Sequence, residues 1–227
     1  DSVRLRAPLP EPGRLVCMAG NYLEGKGLVS DRDGFLKSSS SVIGDGDTVY
    51  LDPDCPAKIF HHEAELAVVI GKDCRDVAES DALQYVAGYT CMNDVSERRL
   101  QVKKRVEPRP KDSWFDWLNG KWLDGYSPVG PWIVPASEIG DPTNLKVTTR
   151  VNGDIRVNGN TSRMLYDIPR QIAYISLLCT LEPGDLIATG VVPLPDGTTD
   201  EVFIQPGDVI EGTVENIGTL RNTVAKA

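Results

Sequence analysis

Short apolar runs separated by turn residues dominate the chain, and they predict a mostly β protein. Leu66 to Ile70 is an unbroken apolar run that stops at Gly71, as expected of a buried strand. Asn152-Gly153 lies between two apolar runs and is the strongest short-range signal for a β-hairpin. Further strands are predicted at Val147 to Val151, Ile155 to Val157, Leu186 to Ala188 and Val209 to Val214.

Only a few segments have a helical period, so we expect the helices to be peripheral. Ile168 to Cys179 carries apolar residues at helical spacing, Asp167 before it is a good N-cap, and Glu182-Pro183-Gly184 should end the helix. A shorter helix is predicted from Asp81 to Val86, with Ser80 as its cap.

All 4 tryptophans fall between Trp114 and Trp132. Such a cluster indicates either a small satellite core or subunit contact, or a lid over a pocket. The spacing alone does not separate these interpretations.

The composition is that of a globular domain, and it argues against several classes of partner. The 227 residues are 41% hydrophobic and 25% charged, and the formal net charge is −9. Phosphate backbones require clustered Lys and Arg, so this acidity argues against a nucleic acid partner. No apolar run approaches the roughly 20 residues that span a bilayer, and no secretory signal opens the sequence. We therefore expect no membrane partner and a cytoplasmic location.

Chain organisation and cysteine use add two further expectations. Residues 1–13 resemble a tail or linker remnant in their proline and charge content, and residues 14–227 are predicted to form a single domain. The 5 cysteines are widely spaced and form no Cys-x-x-Cys pair, which argues against a zinc finger. Buried, reduced thiols are the expected state.

Three carboxylates form the main chemical feature of the sequence. Glu63 and Glu65 are two residues apart at the start of the apolar run, so on a strand they project from the same face. Asp94 follows the next apolar passage. Three carboxylates suit Mg²⁺ or Mn²⁺ and leave coordination positions for water and substrate. The alternative is an edge strand with two solvated glutamates.

Several ordered motifs resemble those of the fumarylacetoacetate hydrolase family, from about Arg14 to Val224. Glu63 to Gly71 is similar to the metal-binding strand of that family. The other matching segments are Tyr85 to Thr90 with Asn93 to Gln101, Gly120-Lys121 with Asp124 to Val134, Val151 to Gly153, Pro183 to Gly190, Gly207-Asp208 and Ile217-Gly218.

The resemblance implies an α+β, predominantly β fold: a mixed β-sandwich roll with a few peripheral helices, forming a catalytic domain that is usually a homodimer. It implies that Glu63, Glu65 and Asp94 bind Mg²⁺ or Mn²⁺, and that Lys121 faces the oxygens of the substrate. The positions that it implies for substrate binding are Tyr22, Lys37, Arg98, Gln101, Thr189 and Gly190.

Members of this family act on 2-oxo acids, so the expected reaction is hydrolysis of a C–C bond in a 2,4-dioxo acid through a metal-stabilised enolate. The alternative on the same fold is a decarboxylase of oxaloacetate type or an enol–keto isomerase of 2-oxo dicarboxylates. A member of the family that binds a 2-oxo acid or a partner protein without turnover is a third possibility.

The sequence departs from the family where the hydrolases carry a catalytic histidine. Asn21-Tyr22 is present, but Gly25 stands where the histidine is expected. Three explanations remain open. A segment after Tyr22 is missing from the chain, the base is supplied by Glu24 or His62, or the reaction needs no such base.

Overall fold

Strands make up most of the regular structure. The computed structural model describes residues 4–22, 33–51, 59–97, 100, 105–192 and 203–227. The strands are β1 Leu15–Ala19, β2 Asp33–Lys37, β3 Val42–Ile43, β4 Thr48–Leu51, β5 Phe60–His61, β6 Ala64–Ile70, β7 Val86–Asn93, β8 Ser96–Glu97, β9 Ser127–Pro135, β10 Lys146–Val151, β11 Asp154–Asn160, β12 Leu186–Ala188, β13 Val209–Val214 and β14 Gly218–Lys226. The helices are α1 Asp112–Asn119 and α2 Ile168–Leu178, with short 3₁₀ helices at Ser39–Ser41, Glu79–Tyr85, Ala136–Glu138 and Thr161–Arg163.

These strands form two main sheets and one short pair. The larger sheet has the strand order β2-β1-β12-β6-β7-β9-β3, the smaller has β11-β10-β13-β14-β4, and β5 pairs with β8. Strand β1 runs parallel to β12, β3 to β9 and β4 to β14, and the other pairs are antiparallel. The predicted α+β, predominantly β fold with mixed sheets and a few helices is confirmed.

The two faces of the larger sheet bury different residues. On one face, Leu66, Val68 and Ile70 of β6 pack in a core with Ile172 of α2 and Val147 of the smaller sheet. Each such side chain contributes about 1.5–3 kcal/mol when fully buried, so this face holds α2 and the smaller sheet against the larger one.

The opposite face carries a second apolar cluster and the charged groups of the site. Ala67 of β6, Ala188 of β12 and Cys17 of β1 lie in one row across three neighbouring strands. Glu65 projects from this face of β6, because it is two residues from Ala67. Lys37 of β2 pairs with Leu15 of β1, which also belongs to this face.

The longer predicted helix is confirmed. Asp167 accepts a hydrogen bond from the Arg170 amide at 3.1 Å through its side chain, and α2 ends at Leu178. Arg75 stabilises that end by donating to the carbonyls of Ser176 and Leu177, both at 2.6 Å.

The shorter predicted helix is wrong in type and start. It is a 3₁₀ helix from Glu79 to Tyr85, preceded by Ala78, whose side chain offers no capping oxygen. The predicted strands agree more closely with the structure. Strands β12 and β13 have the expected bounds, and Asn152-Gly153 connects β10 and β11 as a hairpin.

The described cysteines are free thiols, as expected. Cys17, Cys74 and Cys91 are buried and Cys179 is half-buried, while Cys55 lies outside the described residues. Burial raises the pKa of Cys91 to about 12, so that thiol stays protonated at neutral pH. No helix in the described ranges is long and apolar enough to cross a membrane. The division at residue 13 stays a prediction.

Candidate metal centre

Three carboxylates meet where β6 begins and β7 ends. Glu65 is the second residue of β6, and Asp94 directly follows β7. Glu63 precedes β6, and its carbonyl accepts a hydrogen bond from the Asp94 amide at 2.8 Å. One carboxylate oxygen from each residue lies within 4.8 Å of the others, and all three residues are buried. The structure therefore brings the predicted ligands together, although Glu63 lies just outside the strand.

Lys121 joins two of these carboxylates. Its Nζ donates to Glu63 Oε2 at 2.7 Å and to Asp94 Oδ2 at 2.6 Å. Burial alone would lower the pKa of Lys121, but the charges of Asp94 and Glu63 outweigh burial and raise it above its ordinary value. Gly120 permits this placement, because a Cβ there would lie 1.6 Å from the Glu97 carbonyl oxygen. Lys121 is thus held beside the carboxylates as a cation.

Lys37 binds the other oxygen of Asp94. Its Nζ donates to Asp94 Oδ1, to the Tyr126 carbonyl at 2.7 Å and to the Val95 carbonyl at 3.1 Å. The side chain of Lys37 is fully buried. Asp94 therefore lies between two lysines, one at each carboxylate oxygen.

Carboxylates outnumber lysines in this cluster, and the excess fits a divalent cation. Among the residues that the structure describes, Glu63, Glu65 and Asp94 face two ammonium groups, which leaves one buried negative charge in excess. Burial, followed by the charges of Asp94 and Glu63, raises the pKa of Glu65 well above its ordinary value. Buried like charges repel unless a cation neutralises them, and carboxylate oxygens are the ligands that Mg²⁺ and Mn²⁺ prefer.

The loop after β12 holds Glu65. Gly190 donates from its backbone N–H to Glu65 Oε2 at 2.7 Å. Asn21 anchors this loop by donating from Nδ2 to the Thr189 carbonyl, also at 2.7 Å. The predicted pair Thr189 and Gly190 thus lies at the centre, where it supports a carboxylate.

Aromatic rings border the centre next to Lys121. Phe35 of β2 and Trp117 of α1 meet edge to face, with ring centroids 4.9 Å apart. Lys121 Nζ lies 5.3 Å from the Phe35 centroid and 5.6 Å from that of Trp117, within the range of cation–π attraction. Trp114 is 54% exposed and lines a surface groove of about 770 Å³ with Leu36. The tryptophan cluster therefore divides between the site and the surface.

Nearly the whole chain matches one known family. A family model described as fumarylacetoacetate (FAA) hydrolase C-terminal covers residues 15–225. The chain belongs to the fumarylacetoacetate hydrolase family. The resemblance in the sequence motifs is thereby confirmed, and relatives in this family are named as enzymes.

Relatives within the fumarylacetoacetate hydrolase family have names that describe more than one reaction. Oxaloacetate tautomerase YisK of Bacillus subtilis is 38% identical over 233 residues, covering 99% of this chain and 74% of that protein. A 2,4-didehydro-3-deoxy-L-rhamnonate hydrolase of Sphingomonas sp. (strain SKA58) is 36% identical over 232 residues, covering 98% of this chain and 77% of that protein.

A solved structure in the family contains a metal ion. Maleylpyruvate hydrolase from Sphingobium sp. SYK-6, in complex with manganese(II) and pyruvate, has a TM-score of 0.82 to this chain. It is 34% identical, and the match covers 100% of this chain and 75% of that one. The likeness establishes the family fold.

The remaining predicted site residues lie beside the carboxylates or outside the described ranges. Tyr22 is buried, and burial raises the pKa of its phenol. His62 is buried beside Glu63, and burial lowers the pKa of His62 to about 4 against the opposing charge of Glu63. Its imidazole is therefore neutral at pH 7. The predicted residues outside the described ranges are Glu24, Arg98 and Gln101.

Sequence reasoning assigned no site role to Asn21 or Phe35, and it considered Trp117 only as part of the tryptophan cluster. For the two aromatic residues a signal existed: Phe35 is two residues before Lys37 on a strand, and Trp117 is four residues before Lys121. For Asn21 there was none beyond its place in a family motif, because the Thr189 carbonyl that it binds is 168 residues away.

Proposed function

We propose that this protein is a divalent-metal-dependent hydrolase that cleaves a C–C bond in 2,4-dioxo acids of the acylpyruvate type. The observation that carries the proposal is the buried cluster of Glu63, Glu65 and Asp94 with Lys121 attached to two of them. Similarity to a maleylpyruvate hydrolase solved with manganese(II) and pyruvate, and to a rhamnonate-derivative hydrolase, supports this reaction class.

Glu63, Glu65 and Asp94 would hold Mg²⁺ or Mn²⁺ in this proposal. When bound, the cation would supply Lewis acidity toward the carboxylate and keto oxygens of a 2-oxo acid. Lys121 stays protonated because its pKa is raised. It would therefore donate a hydrogen bond and positive charge to the oxygen that becomes an enolate as the C–C bond breaks, and it would not act as a base.

Hydrolysis also requires a group that takes a proton from the attacking water. His62 and Glu24 are the candidates within this proposal. The neutral imidazole of His62 can accept a proton, but a pKa of about 4 makes it a weak base at pH 7. Of the substrate-binding positions that the resemblance implies, this proposal keeps Tyr22, Arg98, Gln101, Thr189 and Gly190. The sixth, Lys37, has three buried hydrogen bonds within the chain, which favour a different role.

The decisive experiment measures turnover of an acylpyruvate with and without metal. The protein is stripped with a chelator, reloaded with Mg²⁺ or Mn²⁺, and assayed beside Glu65→Gln and Asp94→Asn. We expect activity to be lost and metal affinity to fall about 100-fold in both variants. Glu79→Gln is the matched control, because that carboxylate is 52% exposed and pairs with Arg170. Full activity after chelation, or in either site variant, would contradict the proposal.

A second reaction is favoured by the sequence after Tyr22. No histidine follows Asn21-Tyr22 at the position where the hydrolases carry one, and the chain contains only 2 histidines, His61 and His62. A tautomerase or decarboxylase of 2-oxo dicarboxylates needs no base for attacking water, and the similar protein from Bacillus subtilis is named an oxaloacetate tautomerase. Assaying oxaloacetate beside acylpyruvates separates the reactions by their products. A tautomerase converts the enol form to the keto form, a decarboxylase releases carbon dioxide, and a hydrolase releases a carboxylic acid.

A homodimer and a cytoplasmic location are part of the same proposal. The family resemblance supports the dimer, and the free thiols of the described cysteines support the location. Light scattering on the purified protein tests the dimer: a mass near the 24.8 kDa of one chain would contradict it.

A further inference from the structure

We propose that Lys37 is a positioning residue that sets the orientation of Asp94 and does not contact the substrate. The inference rests on the proposed function, because it assigns roles within the same centre. Lys37 and Lys121 bind opposite oxygens of the same carboxylate, Lys37 at Oδ1 and Lys121 at Oδ2. Their remaining contacts differ, and that difference separates their roles.

The ammonium group of Lys37 has no donor left for a substrate. A lysine has three N–H donors. Those of Lys37 go to Asp94 Oδ1, to the Tyr126 carbonyl at 2.7 Å and to the Val95 carbonyl at 3.1 Å. The side chain is 0% exposed. A substrate oxygen could bind Lys37 only if one of these buried bonds were broken, which leaves a buried acceptor unsatisfied.

Lys121 differs in this respect. Within the described residues, its Nζ donates to Glu63 Oε2 and Asp94 Oδ2, so one of its three N–H groups remains available. The rings of Phe35 and Trp117 lie 5.3 and 5.6 Å from the same nitrogen, and rings accept no ordinary hydrogen bond. Lys121 can therefore serve a substrate oxygen without losing a carboxylate.

The contacts of Lys37 explain how it would act on the metal ligand. It binds both the side chain of Asp94 and the main chain of Val95, the next residue, and it ties them to Tyr126 just before β9. Its own position is fixed by the pairing of β2 with β1, where Lys37 lies opposite Leu15. Groups that orient a metal ligand in this way typically contribute 10–100-fold to metal affinity.

The test compares Lys37→Met with Lys121→Met, which remove the same charge from the same carboxylate. Calorimetry measures the affinity for Mn²⁺, then the affinity for oxalate at saturating Mn²⁺, and the EPR spectrum of bound Mn²⁺ reports its ligand geometry. For Lys37→Met we expect Mn²⁺ affinity to fall about 10-fold and the EPR spectrum to change, with oxalate affinity altered by less than about 2-fold. For Lys121→Met we expect oxalate affinity to fall about 10-fold or more.

Several outcomes would overturn the inference. Oxalate affinity that falls as far in Lys37→Met as in Lys121→Met would show that Lys37 binds the ligand. Unchanged or tighter Mn²⁺ binding with an unchanged EPR spectrum would show that Lys37 orients nothing. If Lys37→Met does not fold, Lys37→Gln replaces it in the same measurements, because glutamine keeps two N–H donors without the charge. A wild-type protein that binds no Mn²⁺ overturns the proposed function and this inference together, whereas the earlier outcomes overturn the inference alone.

Discussion

The two ends of strand β12 are each associated with a buried carboxylate, and the two carboxylates have different surroundings. Asp185 directly precedes the strand, and Glu65 is bound by Gly190, two residues beyond its other end. Asp185 is 1% exposed and Glu65 is 2% exposed. Burial alone therefore does not distinguish them.

Their hydrogen-bond donors do distinguish them. Asp185 accepts from the Arg14 amide at 2.7 Å, from the Arg14 guanidinium at 3.0 Å and from the Glu182 amide at 2.8 Å. Within the described part of the chain, Glu65 accepts from one amide, that of Gly190, and faces two further carboxylates. A buried carboxylate whose oxygens accept hydrogen bonds from the chain stabilises the fold. One that adds to an excess of buried negative charge is stabilised when a cation binds to it.

The largest expected effect comes from removing the satisfied carboxylate. Asp185→Asn should lower the free energy of unfolding by about 3 kcal/mol, because amide donors of Arg14 and Glu182 lose their acceptor or face an NH₂ group. The folded variant should bind Mn²⁺ as the wild type does. Urea unfolding measures the first quantity and calorimetry the second. Glu182→Gln is the control, since Glu182 is 58% exposed and binds the same Arg14.

That control should change stability by less than about 1 kcal/mol, as exposed ion pairs do. The comparison between the two ends of β12 would fail if Asp185→Asn kept its stability and lost Mn²⁺ binding.

Removing the charge of Glu65 should give the opposite result. Glu65→Gln keeps the shape of the side chain and relieves repulsion from Glu63 and Asp94, so the metal-free protein should unfold at the same or a higher urea concentration. Affinity for Mn²⁺ should fall about 100-fold, or about 2.7 kcal/mol, because a ligand is lost. Equal destabilisation in Glu65→Gln and Asp185→Asn, with Mn²⁺ binding retained, would show that both carboxylates are structural.

The sequence could predict these two sites only in part. Local patterns predicted the bounds of β12, and family motifs predicted Glu63, Glu65 and Asp94 as ligands. The partners that set each carboxylate's role are distant in the chain: Arg14 is 171 residues from Asp185, and Gly190 is 125 residues from Glu65. Patterns that repeat within a few residues carry no information about such pairs.

Side-chain patterns also gave a wrong prediction where the hydrogen-bond pattern of the backbone determines the type of helix. The segment from Glu79 to Tyr85 forms a 3₁₀ helix without a side-chain cap, although Ser80 was the expected cap of an α-helix. Side-chain periodicity over so few residues does not separate the two helix types.

A smaller effect is expected from the backbone that supports Glu65. Gly190 has φ of +101°, and a Cβ there would lie 3.0 Å from Asn21 Cβ and 3.2 Å from the Met18 carbonyl oxygen. Gly190→Ala should therefore cost about 1–2 kcal/mol of stability and also weaken Mn²⁺ binding by moving the N–H that holds Glu65. Gly207→Ala is the matched control, because Gly207 has φ of +100° with nothing within 4 Å.

Both glycine variants share the backbone strain, so Mn²⁺ affinity is the measurement that isolates the role of the Gly190 amide. Mn²⁺ affinity should fall in Gly190→Ala and stay unchanged in Gly207→Ala. Equal Mn²⁺ affinity in both variants would show that the Gly190 amide does not control Glu65.

The smallest expected effect is the pH dependence of the metal-free protein. Burial, with the charges of Asp94 and Glu63, raises the pKa of Glu65 in the folded state above its ordinary value of 4.5. The folded state therefore binds this proton more tightly than the unfolded state. The resulting stability is complete below about pH 4.5 and is lost as pH rises through the folded pKa. Urea unfolding at a series of pH values from about 5 to 8 should show this loss in the wild type and a flatter profile in Glu65→Gln. Saturating Mn²⁺ should flatten the wild-type profile as well, because the cation then favours the ionised carboxylate.

Parallel profiles for the two metal-free proteins would contradict this prediction. They would mean that hydrogen bonds from the chain satisfy the Glu65 carboxylate as fully as that of Asp185, and the contrast between the two ends of β12 would be lost.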